Sequence, residues 1–185
     1  MKLTTNQKYL IALSACLDQL GPKLFRQLTT SFSSPQQAFN SSSDQLIRIG
    51  FSSKKAKQFI QQRSKINLDK ILQIIEQEDI KIVTLFDKHY PALLAEIYDP
   101  PVILFYKGKL GKNEKHPLAI VGTRKVTYYG QQAIDKIVPD LVNCGLTIIS
   151  GLAFGCDSLA HQITLKNKGR TLAILGTGID KQSIY

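Results

Sequence analysis

Cysteine is scarce in this chain. Cys16, Cys144 and Cys156 form an odd set without C-x-x-C spacing, which argues against a disulfide framework and a zinc site and suits a reducing, cytoplasmic setting. Long apolar runs are also missing: none approaches the ~20 residues that a membrane span requires, so no membrane partner is expected. No solenoid repeat and no low-complexity tract interrupts the sequence. Acidic residues are short in one place only. Residues 1–70 hold 3 Asp/Glu against 11 Lys/Arg, whereas residues 71–185 hold 11 against 13. Most of the net charge of +10 therefore sits in the first third, which favours an anionic partner there, nucleic acid before a membrane surface. The remainder is ordinary: 185 residues, 43% hydrophobic and 21% charged, are enough for one large globular domain or two small ones.

The first seventy residues read as a small all-helical domain. Leu10, Leu13, Leu17 and Leu20 keep helical spacing, so one helix is expected from Asn6 to Leu20, stopped by Gly21-Pro22. That same spacing runs through Leu13-Ser-Ala-Cys16, which otherwise imitates a lipoprotein signal with a lipidation cysteine, and it favours a helix over export. Further helices are expected at Lys23–Phe32, at Pro35–Phe39 with Ser34 as N-cap, at Gln45–Ile49 with Asp44 as cap, and at Lys54–Lys65 started by Ser52 or Ser53. The loops at Gly21 and Gly50 resemble helix-hairpin-helix turns, whose backbone N–H groups grip a phosphate. The alternative at each is a glycine C-cap followed by a solvated basic turn. At the second loop Lys54, Lys55 and Lys57, with Arg63 nearby, are candidate secondary DNA contacts. A helix at Leu68–Gln77 and strands at Ile80–Phe86 and Val102–Tyr106 follow. Between them Tyr90-Pro91 and Asp99-Pro-Pro101 fix the backbone.

Residues 118–185 organise the rest. Three apolar runs, Leu118–Gly122, Leu146–Ser150 and Thr171–Gly176, each end in a glycine-bearing turn, and helix-length segments Tyr128–Asn143 and Ser158–Asn167 separate them. Strand, glycine turn and helix in repetition predict an α/β fold with a doubly wound parallel sheet, its helices on both faces. Ligands of such sheets bind beyond the carboxyl ends of the strands. Gly122 and Thr123 lead into a helix, and Arg124 supplies a planar fork for phosphate. Ser150, Gly151 and Gly155 form a second anion-wrapping turn; Asp157 is expected to cap the next helix and to lie one turn from His161. Gly176 and Gly178 close the third strand, with Asp180 beyond them. Arg at position 124 breaks the G-x-G-x-x-G fingerprint, so no dinucleotide or other cofactor is expected. No nucleophile or metal set has convincing spacing, so no catalytic residue is assigned and the chain is not expected to be an enzyme.

Taken together, Tyr90-Pro-x-x-Leu94, Asp99-Pro-Pro101, Ala119-Ile-Val-Gly-Thr-Arg124, Ser150-Gly-Leu-Ala-x-Gly-x-Asp157 with Ala160-His161, and Leu175-Gly-Thr-Gly-x-Asp180 resemble the DNA-processing protein A (DprA/Smf) family along the whole chain. The resemblance implies a SAM-like helical domain over residues 1–70 and a Rossmann-like domain over 71–185. It also implies a cytoplasmic bacterial protein that binds incoming single-stranded DNA in natural transformation and loads RecA on it. Gly122, Thr123, Arg124, Ser150, Gly151, Gly155 and the Gly176–Gly178 turn take the DNA backbone in that picture. The family continues beyond Tyr185 into the second half of its sheet, where its dimerisation and RecA surfaces lie, so both partners are expected to be weakened here. A nucleotide phosphoribohydrolase of the LOG type, built on a related sheet, is the enzymatic alternative. A helix-hairpin-helix DNA module beside a degenerate α/β half is the other.

Overall fold

The computed structural model describes residues 3–111 and 114–179. The chain divides into two compact units, Met1–Lys112 and Asn113–Tyr185.

The first unit opens with α1 (Thr5–Ser14) and α2 (Leu17–Ser31). Thr4 starts α1 with a capping box, its hydroxyl accepting from the Gln7 N–H while the Gln7 side chain accepts from the Thr4 N–H. The single helix expected to Leu20 breaks earlier. Ser14 donates its hydroxyl back to the Ile11 carbonyl at 2.7 Å, and the Cys16 N–H turns to Leu13 in a tighter i→i−3 bond. Gly21, expected as a stop, is a kink within α2, at φ 71°. Next come α3 (Pro35–Asn40), capped by Ser34 as expected, and α4 (Ser43–Arg48). The cap of α4 is Ser42, in a capping box with Gln45, and Asp44 lies inside the first turn instead. The helices α5 (Ser53–Arg63), capped by Ser52, and α6 (Leu68–Gln77), capped by Asn67, complete the set. Leu10, Ile11, Leu13, Leu28, Leu46 and Phe59 are fully buried among them, each contributing about 1.5–3 kcal/mol by leaving water.

The boundary expected near residue 70 is not where the compact units part. The strands β1 (Lys81–Thr84) and β2 (Ile103–Tyr106) pair antiparallel with each other, and β2 and α6 both pack on α1. Ile80, Ile82, Val83, Val102 and Ile103 are buried, so this pair closes the helical core instead of extending the parallel sheet. Between the strands lies α7 (Ala92–Ala95). The Tyr90 hydroxyl donates to the Pro101 carbonyl at 2.7 Å and joins the two proline motifs.

The second unit is β3 (Pro117–Ala119), α8 (Tyr128–Asn143), β4 (Thr147–Ser150), α9 (Cys156–Lys166) and β5 (Thr171–Ala173). The strands form one parallel sheet in the order β3-β4-β5, with Leu118, Ile148 and Thr171 level with one another. Successive right-handed crossovers to the adjacent strand place both helices on one face, and α8 and α9 pack together there. Both faces were expected to be covered. Within the described part of this unit no helix follows β5, and Val121 and Ile174, just beyond β3 and β5, are exposed. Both helices end in a left-handed residue, Gly145 at φ 79° and Lys168 at φ 57°. In each case the N–H after that residue reaches back to satisfy a carbonyl of the last helical turn, Leu146 to Leu141 and Gly169 to Thr164.

Candidate nucleic-acid interface

Because the three strands run parallel, their carboxyl ends and the turns that follow share one edge of the second unit. The first turn, Gly122–Lys125, is fully exposed. The Thr123 hydroxyl accepts the Lys125 N–H at 3.2 Å, folding the turn on itself. Its backbone is strapped to the start of α9: the Cys156 N–H donates to the Thr123 carbonyl at 3.1 Å. Gly122 rests on Cys156, where an added Cβ would stand 2.5 Å from Sγ, and Gly155 backs onto the carbonyls of Thr123 and Arg124. A side chain at either glycine would push the turns apart. Arg124 projects from this fixed backbone, and among the described residues no carboxylate pairs with it. The first N–H of α9 is thus taken by a protein carbonyl, whereas the turn itself stays exposed.

The second turn differs in part from the expectation. Ser150 is buried, and its hydroxyl donates inward to the Ile120 carbonyl at 2.6 Å, tying β4 to β3. The N–H of Gly151 is also taken, by Oδ2 of Asp157 at 3.1 Å. Asp157, expected as the cap of α9, lies one residue inside it and is buried; Gly155 holds the cap position at φ 87°. The carboxylate therefore shapes the turn from below. An added Cβ on Gly151 would meet that carboxylate at 2.9 Å and the Ile174 carbonyl at 3.8 Å, which places this turn beside the end of β5. Gly176 and Gly178 in the third turn are exposed, and among the described residues, chain neighbours aside, nothing comes within 4 Å of a Cβ at Gly176. Asp180 lies outside the described residues.

His161, four residues beyond Asp157 on α9, is 5% exposed. Its Nδ1 lies 2.7 Å from the Thr171 hydroxyl, which is also 2.8 Å from the Ile148 carbonyl, and its buried Nε2 has no hydrogen-bond partner among the described residues. Burial pushes the His161 pKa down, while Asp157 and the Ser150 backbone act against that shift. The ring is a neutral packing element, inaccessible to a substrate.

Lys54 and Lys57 are exposed at the start of α5 and Lys55 is half-buried, all three in the first unit. The loop before them is a glycine C-cap: Gly50, at φ 102°, donates to Ile47 and Phe51 donates to Leu46. Arg63 is not part of a basic surface. Its guanidinium donates to the carbonyls of Phe39 and Ser41 and stacks 5.6 Å from the Phe59 ring centre, and burial lowers its pKa. No group of three metal-ligating side chains occurs among the described residues, and among them no helix is long and apolar enough to cross a membrane. The contacts missed from the sequence, Cys156 under Gly122 and Asp157 on Gly151, carry one signal in retrospect. The spacing Ser150-Gly151-x3-Gly155-x-Asp157 returns the chain to its own turn.

Known proteins resemble this chain in sequence and fold. Residues 81–184 match the family model described as DNA recombination-mediator protein A. The Smf protein of Synechocystis is 37% identical over 181 residues, 95% of this chain and 45% of that protein. The DNA processing protein DprA of Streptococcus pneumoniae is 44% identical over 97 residues, 52% of this chain and 34% of that one. An X-ray structure of the Streptococcus pneumoniae protein superposes with a TM-score of 0.72 at 29% identity, covering 98% of this chain and 60% of that chain. The chain thus spans under half the length of the curated relatives it matches here.

Proposed function

The chain belongs to the DNA recombination-mediator protein A family, and from that membership we propose that it binds single-stranded DNA by the sugar–phosphate backbone at the strand-end turns of its second unit. The observation that carries this reading is the exposed Gly122–Lys125 turn, whose Arg124 pairs with no carboxylate among the described residues and whose backbone is braced by Gly155 and Cys156. The planar guanidinium fork of Arg124 matches phosphate in two places. With Ser150 turned inward and His161 buried, the surface supports binding without chemistry, so the chain acts as a binder and not as an enzyme. The partners that follow are single-stranded DNA delivered during transformation and, in the cytoplasm, the RecA recombinase that receives it. A homodimer is the form expected of the whole protein. No cofactor enters this mechanism.

Titration of labelled oligo-dT at several salt concentrations tests it. Arg124→Ala weakens binding by roughly 10- to 150-fold, about 1.5–3 kcal/mol for a charged hydrogen-bonding partner, and flattens the salt slope by about 0.7, one phosphate contact on a single strand. An affinity unmoved by this change removes Arg124 from the site. Release of free base from a nucleoside monophosphate would instead favour the phosphoribohydrolase alternative.

A further inference from the structure

Three large aromatic side chains stand exposed on the segments that follow and brace the Arg124 turn. Tyr128 and Tyr129 are 77% and 80% exposed at the first two positions of α8, three and four residues past Lys125. Phe154 is 60% exposed in the second turn, directly before the Gly155 that backs onto Thr123 and Arg124. All three stand on braced backbone. Thr127 caps α8 by accepting the Gly130 N–H at 3.2 Å, and Ser158 fixes the second turn by bonding the Ala153 carbonyl through its N–H. Their neighbours Arg124 and Lys125 are exposed cations, so the patch is charge-complementary to an anion that also carries flat apolar rings.

We propose that Tyr128 and Tyr129, with Phe154 across the turn, form a stacking platform for the bases of a single strand whose phosphates lie on Arg124 and Lys125. This rests on the single-stranded DNA reading above and adds to it a role for the bases. Every base has a π face, so stacking is tolerant of sequence and is worth roughly 5- to 150-fold in affinity per base. It also selects single strands, because the bases of a duplex are already stacked on each other.

The test uses the full chain with two oligonucleotides of equal length and charge, oligo-dT and its abasic analogue. The chain has seven tyrosines and no tryptophan, so quenching of tyrosine emission reports ring contact directly. Wild-type protein is expected to bind oligo-dT at least about 5-fold more tightly than the abasic strand, with quenching. Tyr128→Ala/Tyr129→Ala loses that preference and the quenching while keeping its salt slope, and Tyr128→Phe/Tyr129→Phe keeps the preference. Equal binding of both oligonucleotides by wild type, with Arg124→Ala weakening both, overturns the platform and leaves the backbone reading intact. Failure of wild type to bind oligo-dT overturns both.

Discussion

At Gly155 the backbone stands at φ 87°, and a Cβ there would overlap the carbonyl oxygen of Thr123 and approach that of Arg124 to 2.6 Å. Gly155→Ala therefore combines left-handed backbone strain with a steric clash. The expected cost is about 2–4 kcal/mol, which heat or urea unfolding measures. Where the variant still folds, its oligonucleotide affinity falls with that of Arg124→Ala, because the strap under the arginine has moved. Gly176 is the contrast. Among the described residues it has open space around it, and its φ is not positive, so Gly176→Ala stays within about 0.5 kcal/mol of wild type. Sequence alone treated these glycines alike, as places of close backbone approach. It could not separate a glycine pressed by its own protein from one facing solvent, because that depends on which turns become neighbours. The same limit hid Ser150 and Asp157. Their types suit an exposed anion site and a helix cap, yet strand order turns both inward.

The packing of α9 on β5 sets a pH dependence. His161 has its pKa lowered by burial relative to the ordinary value of 6.5. Above that value the ring is neutral in both folded and unfolded chains, and its packing contributes in full. As pH falls through 6.5 the unfolded chain takes up a proton that the folded one refuses, so stability declines on the acid side. His161→Asn removes this component, and its melting temperature changes less between pH 7 and pH 5 than that of wild type. An equal change in both proteins would show that the carboxylates alone set the acid limb. At this scale much of the fold was legible beforehand. The expected limits of α6 and α8 match the structure, because their spacing is long and their caps are strong. The break of α1 was not legible, since a serine hydroxyl competing for a carbonyl leaves no mark on apolar periodicity. Nor was the affiliation of β1 and β2. A short apolar strand reads the same whether it joins a parallel sheet or closes a helical core.

The whole chain carries +10, with the excess in residues 1–70, yet the arginine assigned to DNA belongs to the second unit. Each unit has its own buried apolar set, centred on Leu13, Leu28 and Phe59 in the first and on Val138, Ile148 and Ala160 in the second. Surface substitutions in one unit therefore leave the other's fold in place and report on binding alone. Lys54 and Lys57 stand exposed near the N-terminal end of α5, whereas Arg63 on the same helix is spent on carbonyls of its own unit. If the helical unit contributes phosphate contacts, Lys54→Ala/Lys57→Ala lowers the oligo-dT salt slope by about 1.4, two single-strand contacts at 0.7 each. That loss is expected at low salt and fades as ionic strength shortens the reach of surface charge. Losses that add to that of Arg124→Ala within about 0.5 kcal/mol would mark the two sets of contacts as independent. A slope unchanged by the lysine pair would confine DNA to the turns of the second unit and leave the basic first third to a different anionic partner.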